Sequence, residues 1–141
     1  MDVRQFGLSQ TDNSDTTEAE HKYRAFAAKS DGFIIIAPEY NHGYPAVLKN
    51  ALDSIFFPWN DKPVCFVGYG SALGARSIEQ LRQVVVELQM TPVRFSVHIP
   101  SDIYMAALKA ETPASLEAFA PLTERAAGML GQLAWFARTI K

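Results

Sequence analysis

Apolar and polar positions change period at short, regular intervals from residue 32 onward. The run Gly32-Phe33-Ile34-Ile35-Ile36-Ala37 is short, continuously apolar and β-branched, which predicts a buried strand. Pro45 suits the first position of a helix, where its missing N–H costs nothing. Val47, Leu48, Ala51, Leu52, Ile55 and Phe56 then form one helical face, with Lys49 and Asp53 paired four residues apart on the wet side. After the turn Phe57-Pro58-Trp59-Asn60-Asp61, the run 63–67 predicts a second buried strand. A loop of small residues, 68–75, leads into another amphipathic helix marked by Ile78, Leu81, Val85 and Leu88. Residues 92–99 alternate Val93, Phe95 and Val97 against Arg94, Ser96 and His98, a strand with one face less buried. Thr112-Pro113 reads as a cap and first helical residue, opening a helical tail to Lys141 that Pro121 breaks or kinks.

The first 31 residues have a different texture. Met1 to Leu8 is a weak strand remnant, and Thr11-Asp12-Asn13-Ser14-Asp15 is a polar loop. Thr17 with Glu20 fits a capping box for a short helix through Tyr23, Phe26 and Ala27, ending near Asp31-Gly32. There is no internal repeat and no low-complexity tract.

Strands alternating with helices through short loops predict crossover units, a parallel sheet and helices on both faces. In such sheets ligands bind outside the carboxyl ends of the strands. The two unusual loops, 38–44 and 68–75, follow adjacent strands and so share one rim.

Composition narrows the partners. The 141 residues are 48% hydrophobic and 20% charged, which suits one domain over 1–141. A net charge of −2 without a basic block argues against nucleic acid. No apolar run approaches a membrane span and no signal segment opens the chain, so a cytoplasmic protein is expected. The single cysteine, Cys65, lies in an apolar run and reads as a buried structural thiol.

The loops hold no evident catalytic dyad. Glu39 lacks a second carboxylate and reads as exposed or helix-capping rather than as an acid or base. His21, His42 and His98 stand at no metal-ligand spacing, and no metal is expected. Ser71 lies in no G-x-S-x-G elbow. Arg76 sits near a helix start, against the dipole preference; it reads as solvated, with an anion partner as the alternative. What the loops do offer is shape: Tyr40 supplies a flat apolar face, Asn41 donates and accepts, and Gly68, Gly70 and Gly74 leave backbone accessible to a planar ring.

The segments DGFIIIAPEYNHGYPAVLKNALD, KPVCFVGYGSALGARSIEQLR and ELQMTPVRFSVHIP together resemble the NAD(P)H-dependent FMN reductase family, whose members include quinone, azo-dye and chromate reductases. The resemblance runs from about Asp31 to Pro100. It implies a flavodoxin-like three-layer α/β/α fold with FMN and NAD(P)H as cofactors and a small-molecule electron acceptor as partner. It further implies that Pro38, Glu39, Tyr40 and Asn41 contact the flavin ring and its ribityl chain, largely through backbone groups, while Tyr69, Gly70 and Ser71 lie against its other side. Hydride would pass from nicotinamide to flavin and on to FMN, a quinone or a similar acceptor, with no catalytic side chain required. Homodimers or tetramers are implied as well, and the bulk of Tyr44, Phe56, Phe57 and Trp59 suits such an interface.

The front of the chain departs from the family. The resemblance implies an initial strand, a phosphate-cradling loop and a helix, none of which is found in residues 1–31. The expectation is a domain lacking its first strand and helix, with a bare strand edge and weak FMN binding. A flavin-free scaffold or assembly module is the alternative. A one-electron flavodoxin carrier suits the nearly neutral charge less well.

Overall fold

The computed structural model describes residues 17–109 and 113–140. Five α-helices and three strands alternate as α1 (Glu18–Lys29), β1 (Phe33–Pro38), α2 (Ala46–Asp53), β2 (Pro63–Tyr69), α3 (Ala75–Glu87), β3 (Thr91–Ile99), α4 (Ser101–Leu108) and α5 (Thr123–Thr139). Short 3-10 segments at Phe57–Trp59 and Pro113–Leu122 complete the order. The expectations for residues 1–16, and for Thr112 as a cap, lie outside the described residues.

The capping box forms as the sequence requires. The Thr17 amide donates to Glu20 Oε2 at 2.8 Å, and the Glu20 amide donates to Thr17 Oγ1 at 3.2 Å. Pro45 is one step earlier than expected, at the cap of α2. That helix stops at Asp53, so Ile55 enters the core from the following turn rather than from the helix. The tail is 3-10 through Pro121, and regular α-helix begins only at Thr123.

The sheet is parallel with order β1-β2-β3. Phe33 to Pro38 align with Val64 to Tyr69 without interruption. Between β2 and β3 the register shifts, because β3 advances from Pro92 to Ser96 while β2 advances from Val64 to Phe66. Pro92 lacks a ladder donor, and a bulge beside it is where such a residue is tolerated.

Alternate strand residues feed two cores. Val64, Phe66 and Ala37 pack against Ala27, Leu52, Ile78, Leu81 and Val85 from α1, α2 and α3. Cys65, Val93 and Val97 pack against Met129 of α5, with Leu133 and Phe136 alongside. The two layers cover the sheet unequally. Helix α5 lies over β2 and β3, while Ile34 and Ile36 of β1 are 47% and 64% exposed. Among the described residues, no helix is long and apolar enough to cross a membrane.

The two outer strand edges also differ. Along β3, Arg82 donates to the carbonyls of Val93 and Arg94, Arg125 donates to Ser96 O, and the Phe95 amide donates to Gln132. Along β1 lies an apolar groove lined by Phe26, Phe33, Ile34, Ile36 and Trp59, among others. Phe26 of α1 is exposed at that groove. Of the expected interface aromatics, Trp59 is instead buried, donating to Leu52 O and meeting the Phe33 ring edge-on at 4.7 Å. Phe57 alone of that group is largely exposed.

Candidate functional site

The first rim loop is a miniature hairpin. The Glu39 amide donates to Tyr69 O at 2.8 Å, carrying the β1–β2 pairing one residue past the strand. Tyr40 and Gly43 then exchange backbone hydrogen bonds at 2.9 and 3.0 Å. The two residues between them, Asn41 and His42, have φ of 50° and 70°. A two-residue turn with both centres at positive φ is the favoured hairpin connection, and Asn and His are among the non-glycine residues that enter that region most readily.

This turn sorts the loop's side chains into inward and outward groups. Tyr40 is 62% exposed, and Asn41 is exposed beside it. Glu39 turns inward, its side chain 2% exposed, and forms an ion pair with Arg76 through the guanidinium. Its other oxygen accepts from the Arg76 amide at 3.2 Å, at the first turn of α3, where an anion is favoured. Burial pushes the Glu39 carboxyl up, but the hydrogen bonds and charge of Arg76, aided by His42, outweigh it and hold the group below its ordinary value. The carboxylate therefore caps a helix and is not available as a general acid.

The second rim loop is tight for internal reasons. A Cβ on Gly74 would lie 2.5 Å from the Tyr69 nitrogen, and one on Gly68 would lie 2.8 Å from Ile78 Cδ1. These glycines allow the loop to pack on itself rather than leaving room for a ring, which differs from the expectation. Gly70, at φ 136°, lies against Glu39, where a Cβ would come within 3.1 Å of the Glu39 Cβ. Ser71 and Leu73 of this loop are exposed, as Tyr40 and Asn41 are on the first.

Two further residues brace this loop. His98, near the end of β3, places Nδ1 3.0 Å from Leu73 O and Nε2 2.9 Å from Ser96 Oγ. A carbonyl can only accept, so Nδ1 carries the proton and, in the neutral ring, Nε2 accepts from Ser96. Tyr104 of α4 stacks on Tyr69 at 4.9 Å between centroids. Desolvation, together with the neighbouring Tyr104 and Tyr40, raises the Tyr69 phenol pKa.

The seven expected site residues therefore assemble at one rim. Pro38 ends β1, Tyr69 ends β2, Glu39 and Gly70 are in contact, and Tyr40, Asn41 and Ser71 face outward. The sequence reading missed the contributions of His42, Arg76, Gln80, His98 and Tyr104. Only Arg76 gave a signal, its unfavourable position at a helix start. A separate cleft of about 610 Å³ opens beside β3 and α5. Its Arg125 is committed to Ser96 O, and none of the rim residues lines it.

Known proteins are similar to this chain. A family model described as NADPH-dependent FMN reductase matches residues 2–103. An NAD(P)H-dependent FMN reductase of Schizosaccharomyces pombe is 37% identical over 89 residues, 62% of this chain and 44% of that protein. An NADPH:quinone oxidoreductase of Arabidopsis thaliana is 33% identical over 97 residues, 64% of this chain and 50% of that protein. The chain thus spans half or less of the length of these relatives. A flavoenzyme NAD(P)H:(acceptor) oxidoreductase of Paracoccus denitrificans shares the flavodoxin-like fold, with a TM-score of 0.65 at 20% identity over 98% of this chain and 76% of that one. Since the family model covers most of the sequence, the chain belongs to the NADPH-dependent FMN reductase family.

Proposed function

We propose that this chain is a flavodoxin-like domain that binds FMN at the rim of β1 and β2 and serves NAD(P)H-dependent reduction of FMN, a quinone or a similar small acceptor. One observation carries this reading. The one carboxylate of the first rim loop is turned into the protein, while an aromatic face and an amide are turned out. Glu39 is paired with Arg76, and His98 is held by Leu73 O and Ser96. Tyr40, Asn41 and Ser71 remain exposed. Such a surface suits a planar hydrogen-bonding ring and supplies no acid–base pair.

When bound, FMN would supply hydride acceptance from nicotinamide and delivery to the acceptor. The chain's own residues would supply shape. Tyr40 offers its ring, Asn41 and Ser71 offer hydrogen bonds, and the hairpin fixes the backbone of Tyr40 and Asn41. The names of the relatives support the acceptor class, since they specify FMN and quinone. A homo-oligomer is part of the proposal, because Ile34, Ile36 and Phe57 are exposed on a small domain.

The test is a titration of the purified chain with FMN, followed by flavin fluorescence and then by NADPH oxidation with a quinone. Quenching and acceptor-dependent oxidation are expected. Colourless protein that leaves FMN fluorescence unchanged would instead establish the flavin-free scaffold.

A further inference from the structure

The Asn41-His42 turn is held from outside by a neighbouring helix. Even in this favoured turn, two consecutive non-glycine residues at positive φ cost more than glycines would, and surrounding contacts offset that cost. Here those contacts come from one face of α3. Arg76 Nη1 lies 2.9 and 3.2 Å from the two ring nitrogens of His42. Gln80 Nε2, one helical turn on, donates to His42 O at 2.9 Å. Gly43 packs so closely on that amide that a Cβ there would come within 2.7 Å of Gln80 Oε1.

Arg76 thus grips the hairpin at two points. Its guanidinium holds Glu39 at the base and reaches His42 at the tip. A lysine at this position could not fork between the two partners.

We propose that Arg76, with Gln80, is a positioning residue for the cofactor loop: it holds the 40–43 hairpin in the shape that presents Tyr40 and Asn41. The inference rests on the flavin reading above, but its structural half can be tested without any flavin.

The experiment compares wild type with three variants of the full chain. Gln80→Ala cuts only the tip contact. Arg76→Lys keeps the charge and loses the fork. Arg76→Met risks misfolding, because it leaves Glu39 as an uncompensated buried charge, so it is made with Glu39→Gln. The first readout is amide hydrogen exchange at Tyr40 and Gly43, whose N–H groups close the hairpin. The second is the FMN dissociation constant, with the visible circular dichroism of bound FMN. The third is the urea midpoint, which separates loss of a hairpin contact, a small fall, from general unfolding, a large one.

Exchange at the two amides should rise roughly fivefold in Gln80→Ala, the scale of one hydrogen bond, and roughly tenfold or more in the double variant. The FMN dissociation constant should rise in the same order, with altered flavin dichroism and a urea midpoint for Gln80→Ala lowered by no more than one hydrogen bond accounts for. Unchanged exchange in all three variants would overturn the grip. A loosened hairpin with unchanged FMN affinity would overturn its role in positioning. Wild-type protein that takes up no FMN would overturn the flavin reading instead, and exchange alone would then decide whether α3 holds the hairpin.

Discussion

Gly74→Ala and Gly131→Ala make the same chemical change with opposite expected signs. Gly74 opens α3 at φ 69°. A Cβ there would lie 2.5 Å from the Tyr69 nitrogen, 2.6 Å from Gly68 Cα and 2.7 Å from Gly68 C. All three are backbone atoms, so no side-chain rotation relieves the overlap. A left-handed conformation costs an L-residue roughly 1–2 kcal/mol. Forcing extra volume into packed surroundings adds roughly 1–3 kcal/mol. The expected loss is the sum, about 2–5 kcal/mol. Gly131 stands exposed within α5, where a Cβ would meet nothing within 4 Å. There alanine should stabilise by about 0.5–1 kcal/mol. Both variants restrict the unfolded chain equally, so the difference in sign isolates the native loop. Urea unfolding followed by far-ultraviolet circular dichroism reads both. With a slope of roughly 1–3 kcal/mol per molar urea, the Gly74 midpoint should fall by about 1 M or more. A Gly74→Ala midpoint at the wild-type value would refute the loop packing described above.

Four other outcomes are expected. Asn41→Gly should preserve the hairpin while Asn41→Val, β-branched at φ 50°, should disrupt it; Tyr40→Ala with Asn41→Ala should weaken FMN binding in a folded chain, and unchanged affinity would remove these residues from the site. Stability should fall as pH rises above about 9, because burial lifts the Cys65 thiol from 9.0 to about 11 and the Tyr23 phenol from 10.0 to about 12. Both acids stay protonated in the folded chain while the unfolded chain ionises first, so the loss begins at the lower values and levels off near pH 12; Cys65→Ala should flatten the part between 9 and 11, and a stability flat across this range would contradict the burial. Light scattering at micromolar concentration should give a mass above the monomer, and Ile36→Lys should lower it if β1 forms the contact; a strictly monomeric wild type would rule out association there.

Much of this fold was legible because its elements are built from local pattern. The continuous apolar runs at 32–37 and 63–67 became β1 and β2 with shifts of a residue or two at their ends. The 3.6-residue spacing of Ile78, Leu81 and Val85 places all three in the core. Helix α4 escaped notice because none of its residues is buried, so no periodic face marks it. Its Tyr104 reaches Tyr69 only through the tertiary fold. The same limit hid the partner of Arg76. Glu39 lies 37 residues earlier, and nothing local to either residue records the pairing. Gly68 and Gly74 show the converse. Their small size was visible, but whether it admits a ligand or another stretch of backbone depends on neighbours that only the fold supplies.

The polar crowding after β1 follows from this division of labour. A loop at a strand end must bridge from sheet to helix without burying unsatisfied groups. Glu39 meets that demand at the N-terminus of α3, where its carboxylate faces the helix amide of Arg76. His42 meets α3 side chains at both its ring and its carbonyl. These residues are polar because they join the loop to a helix. Tyr40 and Asn41 occupy the part of the hairpin that the join leaves facing outward. In a family named for reduction of FMN, where the cofactor carries the chemistry, the rim needs a rigid surface more than a reactive one. Ion pairs and hydrogen bonds that would count against a catalytic Glu39 or His42 are therefore the features that favour this rim as a cofactor cradle.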